Sequence, residues 1–142
     1  MLLLLVIGIV SCNRSQPDTA ADTATDQEAV IPHDFLQFYA RFHADSAFQM
    51  ARITFPLEGL PANRDSTTPA DGFRWQASEW ALHRPLNNDN GQFEQRFNVI
   101  GDGLIVETIK DRRLPLGMQR RFARLSDGWH LIHYVEMQPI RQ

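Results

Sequence analysis

The sequence predicts an α+β fold in which N-terminal helices pack on a curved antiparallel sheet. Apolar residues between positions 34 and 51 recur at helical spacing, whereas apolar and polar residues alternate along most of the chain after Gly72. Asp-Gly turns separate the alternating segments at hairpin spacing. Helices that precede a run of antiparallel strands are typical of α+β domains with the helices on one face of the sheet.

The chain opens with an apolar run, residues 2–10, that ends at Ser11 and Cys12. Such a run reaches only ~14 Å as a helix, whereas a transmembrane helix needs ~20 apolar residues. A short apolar run ending in small residues is typical of a secretory signal peptide, although no Lys or Arg precedes it here. We therefore expect residues 1–11 to be a signal peptide. The alternative is a buried first strand with Cys12 as an inert core thiol.

Residues 12–30 are polar, with Asp-Thr-Ala repeats and no large apolar side chain before Val30. This composition predicts a flexible tether. The formal net charge of −3 arises in this segment, where Arg14 stands against Asp18, Asp22, Asp26 and Glu28. Residues 31–142 then form a single, formally neutral domain. Nucleic acid is excluded as a partner because a phosphate-binding surface needs an excess of Lys and Arg.

Two short helices are expected after the tether. Asp34 and Gln37 fit a capping box at the start of the first, and four aromatic residues at helical spacing form its apolar face: Phe35, Phe38, Tyr39 and Phe42. After a break at Asp45, Ser46 and Gln49 offer a second cap, which predicts a second helix through position 51.

The remaining elements are predicted from alternation and turn residues. Residues 53–57 alternate as a strand, and Pro56 restricts that strand to a sheet edge. Residues 59–72 are expected to form a loop, residues 73–82 a second strand and residues 87–91 a turn. Four further strands follow, at residues 92–100, 104–110, 118–125 and 129–137. A strongly curved sheet wrapped on an N-terminal helix has the shape of the cystatin-like and nuclear transport factor 2-like folds.

Two stretches resemble known lipoproteins. Residues 9–12, Ile-Val-Ser-Cys, resemble the lipobox of bacterial lipoproteins, and residues 35–57 are similar to the opening signature of an uncharacterised family of Gram-negative lipoproteins. Glu79-Trp80 and residues 121–124 and 128–131 match later landmarks of that family. The resemblance implies cleavage between Ser11 and Cys12, a lipid on Cys12, and anchoring in the Gram-negative cell envelope, at the outer membrane. It implies no activity.

Motifs that would define a reaction are absent from the sequence. Five histidines occur, but none has metal-ligand spacing, and His130 and His133 fall on opposite faces of a predicted strand. Residues 101–103, Gly-Asp-Gly, lack the third glycine and the following helix of a dinucleotide site, so they predict a turn. We expect neither a metal nor a cofactor.

A possible pocket is formed by Tyr39, Asp45, Trp75, Trp80 and Tyr134. Asp45 is either a helix cap or a carboxyl in that pocket beside Tyr39 and Tyr134, where burial would raise its pKa toward a value suited to a general base. The tryptophans either line the pocket or fill the core with Trp129.

One basic concentration lies late in the chain, at Arg112, Arg113, Arg120, Arg121 and Arg124. Most of it is interpreted as a solvated strand face that pairs across the ladder with Glu94, Glu107 or Asp111. The alternative is a site for an anionic glycan or lipid headgroup contacted by Arg120 and Arg124.

Two functions remain open from the sequence. The first is a non-enzymatic, membrane-anchored envelope lipoprotein that binds a small ligand, a glycan or an envelope protein. The second is a small hydrolase or isomerase that uses a buried Asp or His in a nuclear transport factor 2-like pocket. An enzyme requires converging polar side chains inside the concavity, whereas a binding module predicts an apolar or filled one.

Overall fold

The structure is a computed structural model that describes residues 30–63 and 72–140. Two helices, α1 (His33–Ala44) and α2 (Ser46–Ala51), precede six strands: β1 (Ile53–Leu60), β2 (Arg74–Trp75), β3 (Phe93–Ile100), β4 (Leu104–Asp111), β5 (Leu116–Leu125) and β6 (Gly128–Pro139). The strands form one curved sheet in the order β2-β1-β6-β5-β4-β3. The predicted α+β class is confirmed. The predicted signal peptide with Ser11 and Cys12, and the tether up to residue 29, lie outside the described residues.

The last four strands form a meander whose bounds agree with the predicted segments to within two residues. β3 pairs with β4, β4 with β5 and β5 with β6, all antiparallel. A register shift between Arg121 and Phe122 marks an irregularity in the last pair. The helices and the site residues pack on one face of this meander.

β1 differs from the prediction in two respects. It pairs with β6 in parallel, and it lies inside the sheet order because the two-residue strand β2 covers Leu57 and Glu58 on its outer side. Pro56 is accommodated where the β1–β6 register shifts between Ile53 and Glu58. A proline lacks the N–H that a continuous ladder needs, so the irregularity replaces the predicted edge position.

The core lies between α1 and the sheet. Three phenylalanines of the predicted apolar face of α1 are buried against the sheet. The ring centre of Phe35 lies 5.4 Å from that of Phe122 and 5.2 Å from that of Trp129. Burying each such side chain contributes ~1.5–3 kcal/mol. Around these three phenylalanines, Phe35, Phe38 and Phe42, pack the buried aliphatic residues Ile53, Leu57, Ile105 and Leu131.

The predicted caps of both helices are corrected. α1 begins after Pro32 without a side-chain cap, and Asp34 instead accepts a hydrogen bond from Trp129 Nε1 at 3.1 Å and pairs with Arg124. α2 is capped by Asp45 rather than Ser46: its carboxylate accepts the Phe48 N–H at 2.9 Å. The partners of Asp34 are distant in sequence, so local spacing does not identify them, whereas the cap at Asp45 is one of the two roles that the sequence left open for this residue.

The predicted strand at residues 73–82 is wrong beyond its first residues. Only Arg74–Trp75 is extended in the sheet, and a 3₁₀ turn, Ala77–Glu79, follows with a capping box formed by Gln76 and Glu79. Residues 80–88 then run without regular structure. Neither described helix has the length and hydropathy that a membrane crossing requires.

Candidate functional site

The helix-covered face of the sheet holds a buried ion pair between Glu107 on β4 and Arg120 on β5. The two residues stand opposite each other in the ladder, with exposed fractions of 0% and 3%. Arg120 Nε donates to Glu107 Oε2 at 2.6 Å, and Nη2 donates to Oε1 at 2.9 Å. This bidentate geometry is the arrangement that best compensates two buried charges.

Arg120 also contacts three side chains from other elements. Its Nη2 donates to the Tyr39 hydroxyl at 3.1 Å, and its Nη1 donates to His43 Nε2 at 2.8 Å and to His83 Nδ1 at 3.2 Å. A guanidinium carries five N–H donors. Each donor of Arg120 therefore has a protein acceptor, and the side chain offers no donor to a ligand.

These contacts fix the tautomers of both histidines. Arg120 can only donate, so His43 Nε2 and His83 Nδ1 must present lone pairs. His43 then carries its proton on Nδ1, which donates to the Tyr39 carbonyl at 2.9 Å, and His83 carries its proton on Nε2. Burial, followed by the Arg120 charge, lowers the pKa of His43 and lowers the pKa of His83 to about 3. Both rings are neutral at physiological pH.

Tyr39 closes the network on the α1 side. Its hydroxyl donates to Glu107 Oε1 at 2.6 Å and accepts from Gln95 Nε2 at 2.9 Å. Burial raises the pKa of Tyr39, with Arg120 acting in the opposite direction. The phenol stays protonated, so it serves the network as a hydrogen-bond donor to the carboxylate.

Gln49 positions the loop that carries His83. Its Nε2 donates to the carbonyls of Phe42 at 2.7 Å and His83 at 2.8 Å, and its Oε1 accepts from His83 N at 2.8 Å and Trp80 Nε1 at 3.2 Å. The amide is buried and fully used. It therefore ties the irregular segment 80–83 to α2, and holds the His83 ring against Arg120.

Two cavities adjoin above this network and share Leu82, His83 and Tyr134. The larger, of about 260 Å³, also contacts Arg120 and is otherwise lined by Arg84, Leu86, Ile109 and Met118. The smaller, of about 140 Å³, is otherwise lined by Trp75, Glu79, Trp80, Ala81 and Glu136. Together they form the candidate pocket. Its walls are aromatic and aliphatic, and the donors of Arg120 at its base already have protein acceptors.

The aromatic wall is a packed corner. Tyr134 is centred 5.6 Å from Trp75, 5.4 Å from Trp80 and 4.7 Å from His83. Burial raises the pKa of Tyr134 to about 12. The corner depends on Gly59, because a Cβ there would lie 1.8 Å from the Tyr134 carbonyl oxygen.

Four of the five residues predicted for a pocket belong to this assembly. Trp75, Trp80 and Tyr134 line the smaller cavity, and Tyr39 lies behind it in the Arg120 network. Asp45 does not take part. It caps α2, faces Arg41 at 3.5 Å, and the hydrogen bond from Phe48 N lowers its pKa, which is the opposite of the direction that base work requires.

The predicted anion contact is also corrected. Arg120 is buried and paired with Glu107, whereas Arg124 is exposed, pairs with Asp34 and lies 5.0 Å from the centre of the Trp129 ring. The two cations do not share a surface. Trp129 itself is core, 4% exposed.

Sequence reasoning missed His43, His83 and Gln49. His43 lies four residues after Tyr39 on the same helical face, so periodicity indicates its burial, whereas His83 lies outside any regular element and carries no such signal. The burial of Glu107 and Arg120 could have been predicted, because each lies in phase with buried residues of its strand. These are Ile105 and Ile109 in β4 and Phe122 in β5. In the part of the chain that the structure describes, no group of three His, Cys, Asp or Glu residues could hold a metal ion.

No protein-family model matches the chain, and no curated protein sequence matches it either. Among solved structures it is similar to a nuclear transport factor 2-like protein of Bacteroides fragilis, with 19% identity and a TM-score of 0.51 over 75% of this chain and 48% of that one. It is also similar to a cystatin-like protein of Bacteroides caccae, with 20% identity and a TM-score of 0.54 over 71% and 74%. The chain thus spans about half the length of the first protein. The predicted nuclear transport factor 2-like and cystatin-like fold is confirmed.

Proposed function

We propose that this chain is a non-enzymatic binding module, anchored in the cell envelope, that holds a small molecule in the candidate pocket. The observation that carries the proposal is the pair of adjoining cavities between segment 80–86 and the sheet. Apolar and aromatic walls with a few polar groups are typical of small-molecule sites, whose volumes start at roughly 300 Å³.

The state of the ionisable groups favours binding over the alternative, hydrolysis or isomerisation. General acid–base catalysis needs a group whose pKa lies near the working pH. Burial and the Arg120 charge lower the pKa of His83 to about 3, and burial raises the pKa of Tyr134 to about 12. Neither group exchanges a proton readily near neutral pH, and the Arg120 charge is compensated by Glu107. These side chains therefore shape and polarise a pocket.

The anchor in this proposal rests on the sequence. Cleavage between Ser11 and Cys12 and lipidation of Cys12 would attach the domain to the membrane, and residues 13–30 would give it an r.m.s. reach of ~25 Å. That reach keeps the pocket clear of the headgroups. In this arrangement the membrane is the partner of Cys12, and the pocket is free for its ligand.

The pocket is tested by obstruction. Leu86 lines the larger cavity, so the larger side chain of Leu86→Trp is expected to occupy part of that cavity. Leu114→Trp makes the same change at a residue that is 53% exposed and outside the pocket. We expect small molecules extracted from the purified wild type and from Leu114→Trp, and identified by mass spectrometry, to be lost from Leu86→Trp. Equal recovery from the two variants, at equal thermal stability, contradicts a ligand in this pocket.

A further inference from the structure

The smaller cavity differs in charge from the rest of the candidate pocket. Among the described residues, its lining includes two carboxylates, Glu79 and Glu136, and no Lys or Arg. His83 adds no positive charge because its ring is neutral. Arg84 lines the larger cavity only, and Arg120 is paired with Glu107. The smaller cavity is therefore an acidic compartment at one end of the pocket.

Both carboxylates are held in place by backbone donors rather than by cations. Glu136 Oε2 accepts the Ala62 N–H at 2.8 Å, and Glu79 Oε2 accepts the Gln76 N–H at 3.4 Å. Neither forms a salt bridge with a described residue. A carboxylate fixed by a neutral donor keeps its charge available to a ligand.

Aromatic side chains complete the same compartment. Trp80 stands at 84° to Trp75 and 76° to Tyr134, so the three rings make a corner rather than a stack. Aromatic rings attract organic cations through their quadrupole, Trp most strongly, and the attraction grows where water is excluded. The ring N–H of Trp75 is already directed at the Tyr134 carbonyl at 3.4 Å, and that of Trp80 at Gln49. The tryptophans thus contribute ring surface and not donors.

We propose that the smaller cavity binds the ammonium group of an organic cation, whose apolar remainder extends along Leu82 into the larger cavity. This inference rests on the proposed binding function and names its ligand class. A cavity of about 140 Å³ suits a methylated ammonium head. A metal cation is disfavoured, because the described lining offers only two carboxylates, fewer oxygen ligands than hard cations need, and no group of three His, Cys, Asp or Glu residues occurs among the described residues.

The test compares two probes of the same shape on the full-length protein: choline and 3,3-dimethylbutan-1-ol, in which carbon replaces the charged nitrogen. Binding is followed by calorimetry and by the fluorescence of Trp75 and Trp80. We expect choline to bind about tenfold more tightly than the alcohol, the size of a partly desolvated cation–π and charge contribution.

Charge-only variants assign the effect to the cavity. Glu136→Gln is expected to weaken choline about tenfold and to leave the alcohol unchanged. Glu94→Gln, the same change on β3 outside the pocket, should alter neither probe. Equal affinity for the two probes, or a choline affinity that Glu136→Gln leaves unchanged, contradicts an organic cation as the ligand class. Such a result does not affect the Leu86→Trp experiment, which tests the pocket itself. Failure of both probes, together with equal extracts from Leu86→Trp and Leu114→Trp, overturns the proposed function as well.

Discussion

All five N–H groups of Arg120 meet acceptors, and the two carboxylate oxygens of Glu107 receive the network's three hydrogen bonds of 2.6 Å, from Tyr39, Gln95 and Arg120. Such a pair contributes little net stability when intact, because desolvation offsets the attraction. Removal of one partner alone is strongly destabilising, since the other then remains as an uncompensated buried charge.

We therefore expect Glu107→Gln, which keeps the shape and removes the charge, to lower the free energy of unfolding by about 3–5 kcal/mol. Urea denaturation measures the loss. Glu94→Gln on the neighbouring strand is the control, and should change stability by less than about 0.5 kcal/mol. A loss at position 107 as small as the control's would mean that the pair does not hold the two strands.

The neutral histidines predict a pH dependence. The folded-state pKa of His83, about 3, lies below its ordinary value of 6.5, so the unfolded chain binds the extra proton as the pH falls. The stability that depends on neutral His83 is complete above pH 6.5, and is lost progressively below it at up to about 1.4 kcal/mol per pH unit. Urea midpoints between pH 7 and pH 5, above the range where ordinary carboxyl groups titrate, measure this slope.

His83→Asn, which keeps an acceptor near Arg120 but does not titrate, should flatten that slope. His33→Asn, at an exposed position with no contact to the network, is the matched control and should leave it unchanged. His43, whose pKa is also lowered, maintains part of the slope in the first variant. Identical slopes in all three proteins would exclude a neutral His83 as its source.

At the scale of elements, the sequence predicted the strands in which apolar and polar residues alternate along one continuous sheet. β3 to β6 follow this pattern, with Asp-Gly turns between two pairs, and their bounds were close. The segment after Trp75 was predicted as a strand because Phe73, Trp75 and Ala77 alternate and two further apolar residues, Trp80 and Leu82, follow. Instead Trp80 turns back onto Tyr134, and Gln49 satisfies the backbone at His83. Those contacts are long-range, so no local pattern reveals them.

Gly59 pairs with Tyr134 where β1 lies against β6, and no space for a side chain is left there. An added Cβ would lie 1.8 Å from the Tyr134 carbonyl oxygen and 3.0 Å from Trp75 Nε1. Because a backbone atom cannot move aside, we expect Gly59→Ala to separate the strands and destabilise the fold by about 3 kcal/mol, the upper end for overpacking. Thermal unfolding followed by circular dichroism measures the loss.

Gly103→Ala provides the comparison for that variant. A Cβ there meets only Arg124 Cβ, at 4.0 Å, and the residue is not in the left-handed region. Its effect should stay below about 1 kcal/mol. Similar losses at positions 59 and 103 would imply that the parallel pairing tolerates separation, and that the aromatic corner is not set by this contact.

At the scale of the whole molecule, the sequence divides into an apolar N-terminal run, an acidic segment and a formally neutral domain. The fold of the domain was predictable because helix and strand periodicities are separated along the chain. The chemistry of its site was not, since it depends on polar side chains from α1, β4, β5 and segment 80–83 that are buried together around the Glu107–Arg120 ion pair. This organisation agrees with the proposed function, in which a neutral binding domain is joined through residues 12–30 to an export signal that ends at a lipidated cysteine.

That division predicts the behaviour of Cys12→Ser. The thiol is the only group in the chain that can receive the diacylglycerol implied by the lipobox resemblance, since Cys12 is the only cysteine. A single acyl chain binds membranes marginally and stable anchoring needs two signals, so loss of the modification removes the anchor completely. We expect the variant to leave the membrane fraction or to accumulate with its leader uncleaved, as judged by fractionation and by gel mobility. Ser11→Ala, which keeps a small residue before the cysteine, should be processed normally. Cys12→Ser that stays in the membrane fraction at the gel mobility of the processed wild type would refute the lipid anchor.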